Sequence, residues 1–198
     1  MLELNLPAPS DKLINYIKEF SLEFPIDEIN ISRRQKFIEC NSNINIALAS
    51  HPTTDLLKEF ILQEYSNFLQ LQKNDFEVNC LLMQNLDSVP CFIPPHTDIG
   101  RPIAINYTIM SGGSKVETTF YKNYSENREG TTSHYNDSNL LKDKSYELND
   151  NKWYAFNARQ YHSVDNIQDK RLVLSISFWK CQFVNFKELY KDLIVREF

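Results

Sequence analysis

Two histidines, one aspartate and one arginine have the residue types and the order that could do chemistry. His96 and Asp98 are separated by one residue, His162 lies far along the chain, and Arg171 follows nine residues later. Two imidazoles and one carboxylate form the ligand set of non-haem Fe(II) sites that keep positions open for other ligands. A guanidinium can grip a carboxylate with two parallel hydrogen bonds. The four residues therefore indicate a metal centre beside a site for an acidic molecule.

The spacing of His96 and Asp98 suits one metal ion. On an extended chain, residues i and i+2 point to the same face, so one strand end can offer both ligands. Pro94 and Pro95 stiffen the approach, because each ring fixes its own φ. A lone His-x-Asp is a common chance match. The third ligand is therefore decisive, and we expect His162, which lies between two strand-like segments.

Arg171 begins a segment with strict alternation, Arg-Leu-Val-Leu-Ser-Ile-Ser-Phe. A strand over 171–178 would place Arg171, Val173, Ser175 and Ser177 on one face and the apolar residues on the other. The apolar face is suited to a core. The face that starts with the guanidinium is suited to the lining of a cavity.

These residues resemble the motif of the Fe(II)/2-oxoglutarate-dependent dioxygenase superfamily, which is His-x-Asp, a distal His, and an Arg or Lys about ten residues further on. The match runs over roughly residues 78–180, and the segments 101–107 and 156–157 are similar to prolyl- and aspartyl/asparaginyl-hydroxylase-like members. The resemblance implies a double-stranded β-helix, or jelly-roll, core related to the cupins. It also implies an oxidoreductase that takes O2 and hydroxylates its substrate.

The resemblance assigns roles to individual residues. His96, Asp98 and His162 would hold Fe(II), and Arg171 would pair with the far carboxylate of 2-oxoglutarate, the cosubstrate that is decarboxylated to succinate. Asn106 lies on a polar face of the strand 102–110, where it could meet the cosubstrate; in the other register Tyr107 would do so instead. Ser175, on the face of Arg171, could add a hydrogen bond. Arg101 could meet the cosubstrate or an acidic group of the substrate, or it could be a plain surface arginine.

The remaining pattern predicts a mainly β protein with flanking helices in a single domain over 1–198. Residues 1–75 read as a mostly helical support, 76–180 as the jelly-roll core and 181–198 as a C-terminal helix. The helices are expected from Ser10, which can cap the first, from Thr53 or Thr54 to Leu69, and over 186–195. Residues 23–50 read as short strands and turns. Strands are expected over 76–84, 102–110, 116–121, 146–148, 153–156 and 171–178.

Composition limits the partners. The chain has 198 residues, 42% of them hydrophobic, and a formal net charge of −5, with basic residues scattered along it. A phosphate-binding protein usually carries a basic face, so nucleic acid is not an expected partner. No apolar run is long enough to cross a bilayer. The opening Met1-Leu2-Glu3-Leu4 does not read as a leader, so we expect a cytoplasmic protein with free thiols.

Several alternatives remain open at the level of sequence. His134 is a rival third ligand, whereas His51 reads as a cap or surface residue, Asp165 and Asp169 as turn residues, and Trp153 and Tyr154 as core or pocket wall. The polar stretch 122–145 reads as a lid or as a loop without a role. The enzyme could use a metal without 2-oxoglutarate, or the protein could be a non-catalytic jelly-roll binding module. An amino acid, a peptide side chain and a small metabolite all fit as substrate. The sequence does not indicate an oligomeric state.

Overall fold

The structure is a computed structural model that describes residues 1–22, 46–51, 55–85, 91–98, 101–122, 140–178 and 181–198. Three α-helices lie within these ranges: α1 (Asp11–Leu22), α2 (Asp55–Leu69) and α3 (Phe183–Leu189). The strands, in chain order, are β1 (Leu2–Leu4), β2 (Ile46–His51), β3 (Phe76–Asn85), β4 (Cys91–His96), β5 (Ile103–Ser111), β6 (Glu117–Lys122), β7 (Leu141–Glu147), β8 (Trp153–Asn157), β9 (His162–Ile167), β10 (Arg171–Phe178) and β11 (Ile194–Glu197).

The strands form two antiparallel sheets. The larger sheet has the order β11-β1-β8-β5-β10-β3-β2, and the smaller one has the order β4-β9-β6-β7. The eight strands from β3 to β10 supply four neighbours to each sheet, and the chain crosses between the sheets after β3, β4, β5, β7, β8 and β9. This is the strand order of a jelly roll, which confirms the predicted fold class.

Alternation divides the large sheet into two faces. The outward face of β10, from Leu172 to Phe178 in steps of two, joins a large apolar core with β3, β5 and β8. Helices α1 and α2 cover this face, because Leu13 and Ile17 of α1 and the apolar stripe of α2 are buried in the same core. Strand register and helix period therefore meet in one apolar layer outside the barrel.

The other face of the large sheet looks across to the small sheet. Ala104 and Phe156 of the large sheet pack with Phe120 of the small sheet. Met83 packs with Ile93 and Val164 in a second small cluster. Between these apolar contacts lie the polar side chains of β5 and β10. The space between the two sheets, which we call the barrel interior, is therefore part apolar and part polar.

The cap of α1 and the apolar face of α2 explain why these two segments are helical. Ser10 Oγ accepts a hydrogen bond from the backbone N–H of Leu13 at 3.2 Å, which caps α1 as predicted. The apolar pattern of α2 predicts one buried face with Leu57, Phe60, Ile61, Tyr65, Phe68 and Leu69, and all of these are buried except Phe68, which is 41% exposed. The prediction for Phe68 was wrong because the buried row continues in four-residue steps through Ile61, Tyr65 and Leu69, and Phe68 lies beside that row.

Other expectations need correction. The helix predicted over 186–195 is wrong in its extent: α3 ends at Leu189, a 3-10 turn covers Lys191–Leu193, and β11 follows. β11 pairs with β1, so the two ends of the chain meet at one edge of the large sheet. β1 adds a strand to the N-terminal region that was expected to be mostly helical, whereas β2 agrees with the short strands expected over 23–50. Of the predicted polar loop 122–145, residues 141–145 are strand, and 123–139 lie outside the described residues.

Two further findings concern membrane-spanning helices and the cysteines. No helix among the described residues is long and apolar enough to cross a membrane. Of the four cysteines, Cys80 and Cys181 are free thiols, and Cys80 is buried in the apolar layer. The side chains of Cys40 and Cys91 lie outside the described residues.

Candidate metal centre

The pairing of β4 with β9 brings the two histidines together. His96 is the last residue of β4, His162 is the first residue of β9, and the two are register partners in the antiparallel ladder. Directly opposite residues in such a ladder have neighbouring side chains. The centroids of the imidazole rings of His96 and His162 lie 4.4 Å apart.

Both rings are oriented in the same way by the backbone. Nδ1 of His96 lies 2.8 Å from the carbonyl oxygen of Pro94, and Nδ1 of His162 lies 2.9 Å from that of Gln160. A carbonyl can only accept, so each Nδ1 donates, and in a neutral ring Nε2 then keeps its lone pair. This tautomer is the one that presents Nε2 to a metal ion.

Asp98 lies two residues beyond the end of β4 and completes the group. Its backbone N–H donates to the carbonyl of Ala158 at 2.9 Å, which ties this segment to the turn before β9. Oδ1 lies 3.7 Å from Nε2 of His96, and Oδ2 lies 3.7 Å from Nε2 of His162. One ligand atom from each of the three residues falls within 4.8 Å of the others, so the three form a group that could hold a metal ion.

His162 is held neutral by its surroundings. Burial lowers the pKa of His162 to about 4, and the neighbouring His96 acts in the same direction, against the attraction of Asp98. The side chain is only 5% exposed. A neutral imidazole is the form that binds a metal ion, so no proton has to be displaced from His162 near neutral pH.

Asp98 is ionised by its neighbours. Burial alone would raise the pKa of Asp98, but Arg101, His162 and His96 outweigh burial and hold it below the usual range. Nη2 of Arg101 lies 2.8 Å from Oδ2 of Asp98. The two groups form a close ion pair, and the buried Oδ2 has no hydrogen bond of regular geometry among the described residues.

An aromatic wall lies against His162. Phe156 of β8 meets the imidazole ring edge-on with centroids 5.1 Å apart, and Phe120 of β6 lies 6.1 Å away. Both phenylalanines are buried. The wall excludes water from one side of the group and strengthens the electrostatic interactions inside it.

Three polar atoms in the barrel interior lack hydrogen-bond partners within the described part of the chain, and one of them, Oδ2 of Asp98, has its ion pair with Arg101. Among the described residues, the buried side-chain atoms without a hydrogen bond are Oδ2 of Asp98, Oγ1 of Thr108 and Nε of Arg171. Asp98 belongs to the metal group, whereas Thr108 and Arg171 lie on the interior faces of β5 and β10. Orphaned buried polar atoms are uncommon and point to a missing ion, water or ligand. The donor set of two imidazoles and one carboxylate fits a divalent metal ion.

Arg171 sits at the far end of the same interior. Its side chain is 4% exposed, and Nη1 donates to the carbonyl oxygen of Ser111 at 2.8 Å. Burial lowers the pKa of Arg171 to about 10, opposed only in part by Asp150. Arg171 remains a cation at neutral pH, with its Nε unpaired. Arg171 precedes Ser175 by four residues on the same face, which is about 13 Å along the strand.

Gly112 makes room for Arg171. It has φ +94°, a conformation that favours glycine, and a Cβ there would lie 2.9 Å from Cβ of Arg171. Its carbonyl accepts from the backbone N–H groups of Gln168 and Asp169, which closes the turn before β10. The turn after β5 thus fixes where the guanidinium stands.

Asn106 and Ser175 meet in the interior, and they reach the metal group through Arg101. Ser175 Oγ donates to Oδ1 of Asn106 at 2.7 Å and accepts from Nη1 of Arg101 at 2.9 Å. Tyr107 faces the other way: it packs on Trp153 in the helix-covered core and donates to Asn151. The structure therefore places Asn106, and not Tyr107, beside the candidate site. Cosubstrate binding by Asn106 and Ser175 stays a prediction.

The other candidates take different positions. Asp165 accepts hydrogen bonds from Thr119 and Ser163 on strands β6 and β9, so it is more than a turn residue. Trp153 and Tyr154 are both buried. Asp169 lies in the turn before β10, where it accepts from the N–H of Lys170. His134 and the side chain of His51 lie outside the described residues.

Sequence reasoning missed three features of the site. Ser177 binds Arg101, Thr108 carries an orphaned hydroxyl, and the wall of Phe120 and Phe156 faces His162. Alternation placed Ser177 on the face of Arg171, and Thr108 is two residues from Asn106 and so shares its polar face. That alternation was the usable sign. The wall gave no sign, because buried phenylalanines are ordinary in any core.

Comparison with known proteins finds distant structural similarity. No model of a protein family matches the chain, and no curated protein is similar to it in sequence. Among solved structures, a prolyl-4-hydroxylase of Pseudomonas putida is 14% identical with a TM-score of 0.38, covering 85% of this chain and 99% of that one. Oxalate oxidase in complex with glycolate is 10% identical with a TM-score of 0.37, covering 71% of this chain and 55% of that one.

A DMSP lyase of Ruegeria pomeroyi is 7% identical with a TM-score of 0.33, covering 54% of this chain and 40% of that one. The chain therefore spans less than two thirds of the length of the lyase and of the oxalate oxidase. At these identities the likeness concerns the fold alone. The strand order makes this chain a jelly-roll protein, and its barrel interior holds a His-Asp-His group that could bind a metal ion.

Proposed function

We propose that the protein is an Fe(II)- and 2-oxoglutarate-dependent oxygenase that hydroxylates an amino acid, a peptide side chain or a small metabolite. One observation carries the proposal: the barrel interior holds a His-Asp-His group that could bind a metal ion, together with a buried hydroxyl and a buried guanidinium nitrogen that have no hydrogen-bond partner among the described residues. A metal ion suits the first. An acidic molecule with hydrogen-bonding oxygens satisfies the other two.

Each residue has a role under this proposal. His96, Asp98 and His162 hold Fe(II), and Arg171 binds the far carboxylate of 2-oxoglutarate. When bound, the iron and the cosubstrate together supply O2 activation, with one oxygen atom entering succinate and the other the substrate. Open coordination positions and an anion-binding arginine are both needed for that chemistry.

The chain itself contributes geometry and a dry interior. The carbonyls of Pro94 and Gln160 fix the tautomers of the two histidines, so both Nε2 atoms face Asp98. Burial keeps His162 neutral. Arg171 brings a positive charge into a low-dielectric interior, where an acidic ligand is bound more strongly than at a surface. Thr108, on the strand β5 that pairs with Arg171's strand, offers its hydroxyl to the same ligand.

The test is turnover. Purified protein with Fe(II), ascorbate and 2-oxoglutarate should form succinate, and formation should rise when a pool of amino acids, peptides or small metabolites contains the substrate. His96→Ala should abolish metal binding, and Arg171→Ala should mainly weaken 2-oxoglutarate binding. Exposed Arg196→Ala is the matched control, because Arg196 lies on edge strand β11 and stacks on Phe198. Absence of succinate with every pool, together with no 2-oxoglutarate binding, would refute the proposal.

A second candidate is a metal enzyme in which Arg171 binds a carboxylate of the substrate itself. The same orphaned Nε supports it. Metal-dependent turnover that is indifferent to 2-oxoglutarate separates it from the first. A non-catalytic jelly-roll module would bind neither the metal ion nor an acidic ligand at this group.

A further inference from the structure

Arg101 occupies a central place in the barrel interior that neither the metal nor the cosubstrate explains. Nη1 donates to Ser175 Oγ at 2.9 Å and to Ser177 Oγ at 3.1 Å, while Nη2 lies 2.8 Å from Oδ2 of Asp98. The side chain is 17% exposed. One guanidinium therefore links the large sheet to the carboxylate of the metal group across the interior.

The two serines form a specific seat for that guanidinium. They are two apart on β10, so both hydroxyls face the interior. Both are buried, at 0% and 2% exposure, and neither can neutralise the arginine. Their small side chains leave space for Arg101, and their oxygens hold Nη1 so that Nη2 is directed to Asp98. The positive charge of Arg101 therefore interacts with the carboxylate of Asp98.

The contact is with one oxygen of Asp98 only. Oδ2 faces the guanidinium and lies 3.7 Å from Nε2 of His162, whereas Oδ1 lies 3.7 Å from Nε2 of His96 and has no contact with Arg101 of this kind. A cation 2.8 Å away draws electron density from Oδ2 and fixes the plane of the carboxylate. Oδ1 is left as the better donor, and a carboxylate held in this way binds a metal ion through a single oxygen.

We propose that Arg101 is a positioning residue: seated on Ser175 and Ser177, it orients Asp98 for one-oxygen ligation and so keeps coordination positions open for other ligands. The inference rests on the metal centre of the proposed function. It gives Arg101 a role that does not require contact with the substrate. Removal of the guanidinium frees Asp98 to rotate or to bind through both oxygens. Partners of metal ligands commonly contribute about 10- to 100-fold to metal affinity.

Co(II) alone is the probe, because its visible spectrum reports the ligands and their number. Wild type should bind one Co(II) with a defined d–d spectrum. Arg101→Met should weaken Co(II) binding about 10- to 100-fold and change the spectrum at saturation, which a purely structural role would not do. Arg101→Lys keeps a cation and should recover part of the affinity. Ser177→Ala should weaken binding less than Arg101→Met, and the double variant should be less than additive.

The controls separate the possible failures. Arg196→Met removes an exposed arginine on β11 and should leave affinity and spectrum unchanged. If wild type binds Co(II) and the Arg101 variants show the same dissociation constant and spectrum, the role of Arg101 is overturned. The metal centre itself then still holds. Absence of Co(II) binding by wild type overturns both. If Arg101→Met does not fold, Arg101→Lys and Ser177→Ala test the same role, and unchanged affinity and spectrum in both overturn it.

Discussion

Replacing Arg171 by methionine should stabilise the metal-free protein while it weakens the binding of 2-oxoglutarate. Burial lowers the pKa of Arg171 from 12.5 to about 10. A tenfold change in an ionisation constant is worth about 1.4 kcal/mol, so the buried cation costs roughly 3 kcal/mol. A basic group whose pKa is lowered by folding destabilises the fold at every pH below the lowered value. A measurement at pH 7 therefore records the full cost.

Methionine has a similar length and carries no charge, so it escapes this cost. It also leaves the carbonyl of Ser111 without its 2.8 Å partner, a loss of about 1 kcal/mol. The net expectation is a gain of about 2 kcal/mol, or roughly 4–8 °C in melting temperature for a chain of this size. Differential scanning calorimetry of the metal-free protein measures it.

The opposite result is expected at the other interior arginine. Arg101→Met leaves the carboxylate of Asp98 in the interior without its ion pair, which should cost about 3–5 kcal/mol. The two variants remove the same charge from the same interior and differ in whether a charged partner stays behind. A fall in melting temperature for Arg171→Met as large as that for Arg101→Met would refute the idea that Arg171 lacks a charged partner in the protein and is available to bind an acidic ligand.

Three further outcomes follow from single contacts. Gly112→Ala should lower stability by about 1–3 kcal/mol in urea unfolding and weaken 2-oxoglutarate binding, since a Cβ meets Arg171 at 2.9 Å and the φ of +94° strains alanine; unchanged affinity would contradict this. Ser10→Ala should cost about 1 kcal/mol through loss of the α1 cap, with no effect on metal affinity. In metal-free protein, folding lowers the pKa of His162 to about 4 from an ordinary 6.5. The unfolded chain therefore takes up this proton first, and the free energy of unfolding falls by roughly 3 kcal/mol as the pH drops from 6.5 toward 4. His162→Gln should flatten that slope in unfolding curves recorded between about pH 7 and 4.5, and an equally steep slope would be the contrary result.

Local pattern was sufficient for much of the fold. The stripe of α2 and the alternation of β10 depend on neighbours within a few residues, so the sequence displays them directly. β11 could not be predicted, because Ile194–Glu197 become a strand only by pairing with Leu2–Leu4 at the other end of the chain. β9 was also missed, because it is a short strand that begins at the candidate metal ligand His162 and pairs with β4, which is distant in the sequence.

The site divides in the same way. The order and type of His96, Asp98 and His162 were enough to predict the group, since metal chemistry restricts which residues can serve. The seat of Arg101 was not visible, because it depends on two serines more than seventy positions away. Which of Asn106 and Tyr107 faces the interior depended on strand register, which sequence leaves open and the packing of Tyr107 on Trp153 decides.

The binding of 2-oxoglutarate to metal-loaded protein tests the central claim most directly. Isothermal titration calorimetry with Co(II)-loaded protein should show one saturable site for 2-oxoglutarate, and metal-free protein should bind it far more weakly. His162→Ala should abolish the metal-dependent part, and Arg171→Met should weaken the remainder without loss of Co(II). No binding to the metal-loaded protein, or equal binding with and without the metal, would contradict the assignment of this interior to a metal ion and 2-oxoglutarate together.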